Sequence, residues 1–224
     1  MENRQFLDLD TKEEFMECRI LDGNPSGIIN FNKTPHKWAA SLYDTMLERT
    51  WFPGHINVSQ DKAKYGKLDT YQKRSYDLVL AQLISNDSFQ TVQLDKINEY
   101  ITSPVVNACL TRQAFEESLH SKCYAIMAED IAEDTDRIYE MHKHDEELML
   151  KNKAVQNMYM HLYGKEEIDN EDLLTIFCAN QILEELVFPG GFSMMLSLAD
   201  EMPGSGQMIA EINTHGLSTV KAVA

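Results

Sequence analysis

Apolar positions recur at three- and four-residue intervals along most of the chain, and few segments alternate with period two, so the pattern predicts helices and almost no strand. Residues 1–33 carry neither period and are read as an irregular N-terminal segment, with "DGNPSG" a turn cluster. "TPHKWAASLYDTMLERT" places Thr34 as a cap and Pro35 at the first helical position, which predicts a helix from there to about Trp51, where "WFPG" carries two breakers. "LDTYQKRSYDLVLAQLISNDSFQTVQLDKINEYI" predicts a long helix, broken at Ser103-Pro104, and a second long helix runs from about Val105 into the 130s. "EDTDRIYEMHKHDEELMLKNKAVQNMYMHLYG" predicts a third, ending at Gly164. "NEDLLTIFCANQILEELVF" predicts a fourth that meets Pro189-Gly190-Gly191, and a fifth starts after Pro203-Gly204.

Long, mostly amphipathic helices favour one all-α bundle over 1–224, with functional groups projecting from facing helices into its core. Pro189-Gly190-Gly191 within apolar helical sequence suggests a kink or π-bulge, a distortion often found at functional sites. The Met-rich stretches "QNMYM" and "SMMLSLADEM" read as core filling. No repeat of 20–50 residues and no low-complexity tract is visible.

Composition narrows the function classes. The formal net charge of −16, with no Lys/Arg run, argues against nucleic acid or anionic membrane surfaces as partners. Cys18, Cys109, Cys123 and Cys178 are scattered without a CxxC, so they read as reduced thiols of a cytoplasmic protein. The charged start "MENRQFLDLDTKEEF" lacks the apolar core of a signal peptide. No unbroken apolar run approaches the roughly 20 residues that span a bilayer.

The chemistry concentrates in "FEESLHSKCY". Glu117 and His120 stand at i and i+3, on one helix face, amid apolar neighbours. A carboxylate and an imidazole in such surroundings are costly unless paired or bound to metal. An isolated ExxH is ordinarily a surface Glu–His pair, but two further acids sit in apolar helical sequence: Asp87 in "LVLAQLISNDSFQ" and Glu184 in "FCANQILEELVFPGGF". Asp, Glu-x-x-His and Glu on successive long helices is what a carboxylate-bridged two-metal site in a bundle requires. Carboxylate oxygens with one imidazole suit iron or manganese better than zinc. "HKHDEE" at 142–147 is read as a solvated face, because His142 and His144 diverge on a helix.

With these landmarks in order, the chain resembles the radical-generating small subunit of class I ribonucleotide reductase. Trp51 in "ERTWFPGHINVSQD" resembles the family's Trp-x-Pro segment, whose tryptophan lies on the radical-transfer route. Asp87 resembles its first metal ligand, and "ESLHSKCY" its E-x-x-H-S-x-x-Y, with Glu117 and His120 as ligands and Tyr124 as the radical-bearing tyrosine. "LEELVFPGGF" resembles the segment of the next ligand, matched by Glu184, with Phe188 and Phe192 as the apolar wall around the tyrosine. The resemblance implies a ferritin-like bundle and a dinuclear iron or manganese cofactor (Fe/Fe, Mn/Mn or Mn/Fe). It also implies a large catalytic subunit as partner, a homodimer, and deoxyribonucleotide synthesis as the purpose.

The resemblance fails in one region. The family's second ExxH, within R-D-E-x-x-H, would align with Thr214, His215, Gly216 and Thr219, so two of six expected ligands and an adjoining aspartate are absent. Residues from about 214 to 224 are therefore expected to be atypical, as in a truncated or split subunit completed by a separate C-terminal fragment. Glu211 and His215, four apart, are the substitutes the sequence offers. The alternatives are an inactive or assembly-dependent subunit and a ferritin-like diiron oxidase that works alone.

Overall fold

The computed structural model describes residues 7–132, 134–160, 165 and 168–220, with side chains described as far as residue 214. Among these residues there is no strand, and the architecture is an all-α, ferritin-like bundle. Its elements are α1 (Lys37–Glu48), α2 (Asp61–Tyr65), α3 (Thr70–Asn98), α4 (Pro104–Ile131), α5 (Asp136–Tyr139), α6 (Glu146–Tyr159), α7 (Asn170–Ile182), α8 (Phe188–Ser197) and α9 (Pro203–Val220). Short 3₁₀ turns occupy Phe15–Glu17, Pro53–His55 and Met141–Lys143.

The two longest helices, α3 and α4, pair along their length and form the spine. The helices α1 and α9 pack on α4, and α6 and α8 pack on α3. Both spine helices start where local chemistry dictates. Asp69 accepts from the Tyr71 and Gln72 backbone N–H groups, at 2.8 Å each, while the Gln72 side chain reaches back to the Asp69 N–H: a capping box. Ser103 caps α4, and Pro104 takes the first helical position, where its missing N–H costs nothing.

Two expected boundaries move. The helix α1 begins at Lys37 rather than Pro35, because Thr34 Oγ1 accepts the His36 N–H and the His36 ring meets the Ser103 hydroxyl at 3.1 Å, which leaves His36 as the cap. The single helix expected over 133–164 is broken into α5, a 3₁₀ turn and α6. Asp145 stops it: its carboxylate accepts the Leu148 N–H at 3.0 Å, starting a new helix, and pairs with Arg74 at 2.8 Å. His142 thus lies in the 3₁₀ turn and His144 at its end; Gly164 lies outside the described residues.

The helix α9 is anchored at its start. Asp61, fully buried on α2, accepts from the Gly204 N–H at 3.0 Å and from the Ser205 N–H and hydroxyl at 2.6 Å each. A carboxylate here satisfies donors that the first turn leaves open. Gly204 must be glycine: a Cβ would stand 2.6 Å from Val58 Cα and 2.9 Å from the Asn57 carbonyl.

The segment 170–197 is one continuous rod, in which the π-turn Leu183–Val187 joins α7 to α8. The distortion expected at Pro189-Gly190-Gly191 lies a turn earlier, in the π-turn that contains Glu184, and Pro189-Gly190-Gly191 continue as regular helix in the first turn of α8, where proline's missing N–H is tolerated. Read through Pro189-Gly190-Gly191 as one rod, the segment is long and apolar enough to cross a membrane by length and composition, unlike the shorter runs read from the sequence. Its outward residues Leu174, Ile182 and Leu186 are exposed. All four cysteines are free thiols; Cys18, Cys109 and Cys123 are buried and Cys178 is exposed.

Candidate metal centre

Asp87 on α3 and Glu117 and His120 on α4 meet in the spine, all buried, with one ligand atom of each within 4.8 Å of the others. The helical i, i+3 spacing brings His120 Nδ1 to 3.1 Å from a Glu117 carboxylate oxygen, and the α3–α4 pairing brings it to 3.7 Å from Asp87. Glu184 approaches from the π-turn, where its carboxylate accepts from Gln90 Nε2 at 2.7 Å. The same Gln90 amide donates to Asn180 Oδ1 at 3.0 Å.

Burial governs the protonation of this cluster. It raises Asp87 well above the usual carboxylate range, reinforced by the charges of Glu117 and Glu184. Burial, then the neighbouring Glu116 charge, pushes Glu117 up to about 8. Burial, then Glu117, pushes Glu184 up to about 8, while the Gln90 amide pulls it down. Burial lowers His120 to about 4, so it stands neutral, with one ring nitrogen bearing the proton and the other free to bind a metal. Buried carboxyl groups biased toward their protonated forms beside a neutral imidazole are a set whose protons a bound cation would displace. Both Asp87 oxygens are buried with the Tyr124 hydroxyl as their facing donor and no strict hydrogen bond, and buried carboxylates so weakly satisfied are rare. The donor set of carboxylate oxygens and one imidazole fits iron or manganese.

Tyr124, one turn beyond His120, is completely buried, and its hydroxyl faces the Asp87 carboxylate. Burial, then the Asp87 and Glu117 charges, drives its pKa well above that of a free phenol, so the hydroxyl stays protonated beside the cluster. Phe188 and Phe192 are buried in the same core, stacked at 5.8 Å. Trp51 is half-buried against the core, just before the Pro53–His55 turn, which packs on α4. Glu211 is half-buried on α9; the side chains of His215, Gly216 and Thr219 lie outside the described residues.

Sequence reasoning missed three groups. Gln113 is buried one turn before Glu117 and lowers the pKa of both Glu117 and Glu184. Gln90, fully buried, stands one turn after Asp87. Tyr159, assigned to core filling, is buried with an unpartnered hydroxyl that feels the Glu184 and Glu117 charges. The signal for the two glutamines was available: 113, 117, 120 and 124 form one stripe of α4, and 87 and 90 one stripe of α3.

Comparison with known proteins follows this geometry. A family model described as "Ribonucleotide reductase, small chain" matches residues 28–215. The chain is similar to the ribonucleoside-diphosphate reductase subunit beta of Treponema pallidum, 36% identical over 205 residues, covering 89% of this chain and 58% of that protein. It is similar to the subunit of the same name from Aquifex aeolicus, 34% identical over 214 residues, covering 93% of this chain and 30% of that one. Among solved structures, the ribonucleotide reductase R2 subunit from Clostridium botulinum superposes with a TM-score of 0.92 at 26% identity, over 99% of this chain and 70% of that one. The chain thus spans less than two thirds of the curated relatives it matches.

Proposed function

The chain belongs to the ribonucleotide reductase small-chain family, and on that premise we propose that it is the radical-generating subunit of an aerobic ribonucleoside-diphosphate reductase. Asp87, Glu117, His120 and Glu184 would hold a dinuclear iron or manganese centre, which supplies one-electron oxidising chemistry when bound. The observation that carries this reading is the fully buried Asp87 carboxylate, faced by the Tyr124 hydroxyl and, among the described residues, by no cationic side chain, within a cluster of buried acids and one imidazole. Gln90 orients Glu184. With that centre bound, Tyr124 would yield one electron to it and its Oη proton to the Asp87 carboxylate that the hydroxyl faces. The buried, stacked Phe188 and Phe192 keep water from that phenol. Trp51 passes the oxidising equivalent on to a large catalytic subunit, which reduces the nucleotide.

A second copy of this chain and a cytoplasmic setting are parts of the same reading; the free thiols and the net charge of −16 support the latter. An assembly-dependent subunit is the second reading, favoured by the ligand count. Among the described side chains, three carboxylates and one imidazole converge, fewer than two metals require. The remainder would come from the C-terminal part of the family fold, on this or another polypeptide, and the exposed stripe of Leu174, Ile182 and Leu186 supports further chain packing there.

Metal stoichiometry with electron paramagnetic resonance tests both readings. The chain is loaded with Fe(II) or Mn(II) and oxidant. Two metals per chain and a tyrosyl signal lost in Tyr124→Phe support the first. About one metal per chain and no radical support the second. No metal bound at all sinks both.

A further inference from the structure

The helix α4 carries a second buried charged pair, one turn ahead of the metal ligands. Arg112 Nη2 lies 3.1 Å from Glu116 Oε1, with each side chain 8% exposed. The same nitrogen donates to Thr50 Oγ1 at 2.9 Å and to the Met46 carbonyl at 3.3 Å. The guanidinium lies over the Phe115 ring, 4.8 Å from its centroid, and Nη1 is buried with no partner.

This arrangement is expensive. A buried ion pair is often matched or bettered in stability by apolar residues of the same volume, and an unpartnered buried N–H adds to the cost. What the pair supplies is orientation, because a guanidinium is a rigid planar fork and here both its edge and its face are engaged. The parts it joins matter. Met46 and Thr50 are the last turn and the exit of α1, and Thr50 directly precedes Trp51. On the other side, Glu116 adjoins Glu117 and stands one turn before His120.

We propose that Arg112 is a positioning residue that, bridging Thr50 and Glu116, fixes Trp51 relative to the Glu117–His120 face of α4. Its functional consequence rests on the reading of Trp51 as a relay. A relay residue works only when its geometry is held within about half an ångström, and side chains around a site exist to hold it.

The test uses the metal-free chain carrying Trp38→Phe, which leaves Trp51 as its single tryptophan. The chain is labelled with fluorotryptophan and read by fluorine NMR. Arg112→Gln and Thr50→Val are each expected to move the Trp51 resonance by more than its linewidth, and Arg112→Lys to restore it in part. Tyr65→Phe, which removes a hydrogen bond to Asp77 and weakens the fold elsewhere, leaves the resonance in place. An unmoved resonance in folded Arg112→Gln overturns the proposal. If that variant does not fold, unmoved resonances in both Thr50→Val and Glu116→Gln overturn it. The metal-free readout keeps this outcome separate from the metal-centre reading, which fails on stoichiometry instead.

Discussion

Gln90 on α3 donates to the Glu184 carboxylate at 2.7 Å, across to the rod that carries the π-turn, from one turn beyond Asp87. The bond fixes where Glu184 points and stabilises its charged form. Gln90→Leu keeps the volume and removes the donor. We expect Mn(II) affinity to fall by about 10–100-fold, the usual cost of losing a group that orients a ligand, with the helical content unchanged. Calorimetric titration of Mn(II) checks this; affinity within twofold of the parent chain would show that Glu184 needs no such support.

The protonation of the cluster gives a pH dependence of definite sign. Glu117 and Glu184 hold their protons to about pH 8 in the folded chain, against a reference of 4.5. Between those values the folded state binds more protons than the unfolded state, so this contribution to stability is complete below about pH 4.5 and lost as pH rises to about 8. The metal-free chain should therefore show a lower urea midpoint at pH 8 than at pH 5, and Glu117→Gln with Glu184→Gln should flatten the slope. Mn(II), which displaces the protons, should stabilise most at the alkaline end and release protons on binding. A slope unchanged by the double substitution would place the titration elsewhere.

Asp61 holds the first turn of α9 through three hydrogen bonds in the core. Asp61→Ala leaves the Gly204 and Ser205 N–H groups buried without acceptors. Bonds to a charged group contribute about 1.5–3 kcal/mol, and the abandoned donors add to the loss. We expect about 3 kcal/mol of destabilisation, or a melting temperature lower by about 6–12 °C for a chain of this size, read by circular dichroism. A loss under about 1 kcal/mol would mean that α9 is held by its apolar face alone.

The helices were legible in the sequence because each spine helix announces itself twice, by period and by cap: Asp69 with Gln72, and Ser103 with Pro104. The break at 140–145 was not legible, because Asp145 reads as one more polar residue of a helix until Arg74, remote in sequence, pairs with it. At the site, Glu117 and His120 could be paired from spacing alone, and Asp87 and Glu184 stood out as acids in apolar runs. The α3–α4 pairing that brings Asp87 to them is tertiary and no local pattern carries it. The glutamines were overlooked although they share the ligands' stripes, because an amide becomes telling there only once the ligands on that stripe are known. Arg112 and Glu116 are marked in the sequence by nothing beyond their i, i+4 spacing; their burial against Thr50 gives them meaning.

The π-turn makes a prediction that a plain α-helix would not. Leu183–Val187 carries one residue more than α-helical geometry needs, and Glu184 sits within it. Deleting Leu186, which is 70% exposed, removes the extra residue without removing a core side chain. The segment then closes as α-helix, and α7 turns by about 100° relative to α8, the rotation per residue of an α-helix. Glu184 swings away from Gln90, and Ile176, Ala179 and Leu183, all buried now, leave their places in the core. We expect the deletion to retain most helical circular dichroism, to melt well below the parent, and to lose Mn(II) binding at least tenfold. Leu186→Gln, which keeps the length and only changes an exposed surface, should bind Mn(II) as the parent does. If the deletion variant binds Mn(II) undiminished, the extra residue has no part in aiming Glu184, and the π-turn answers only to the packing of α7 against α6.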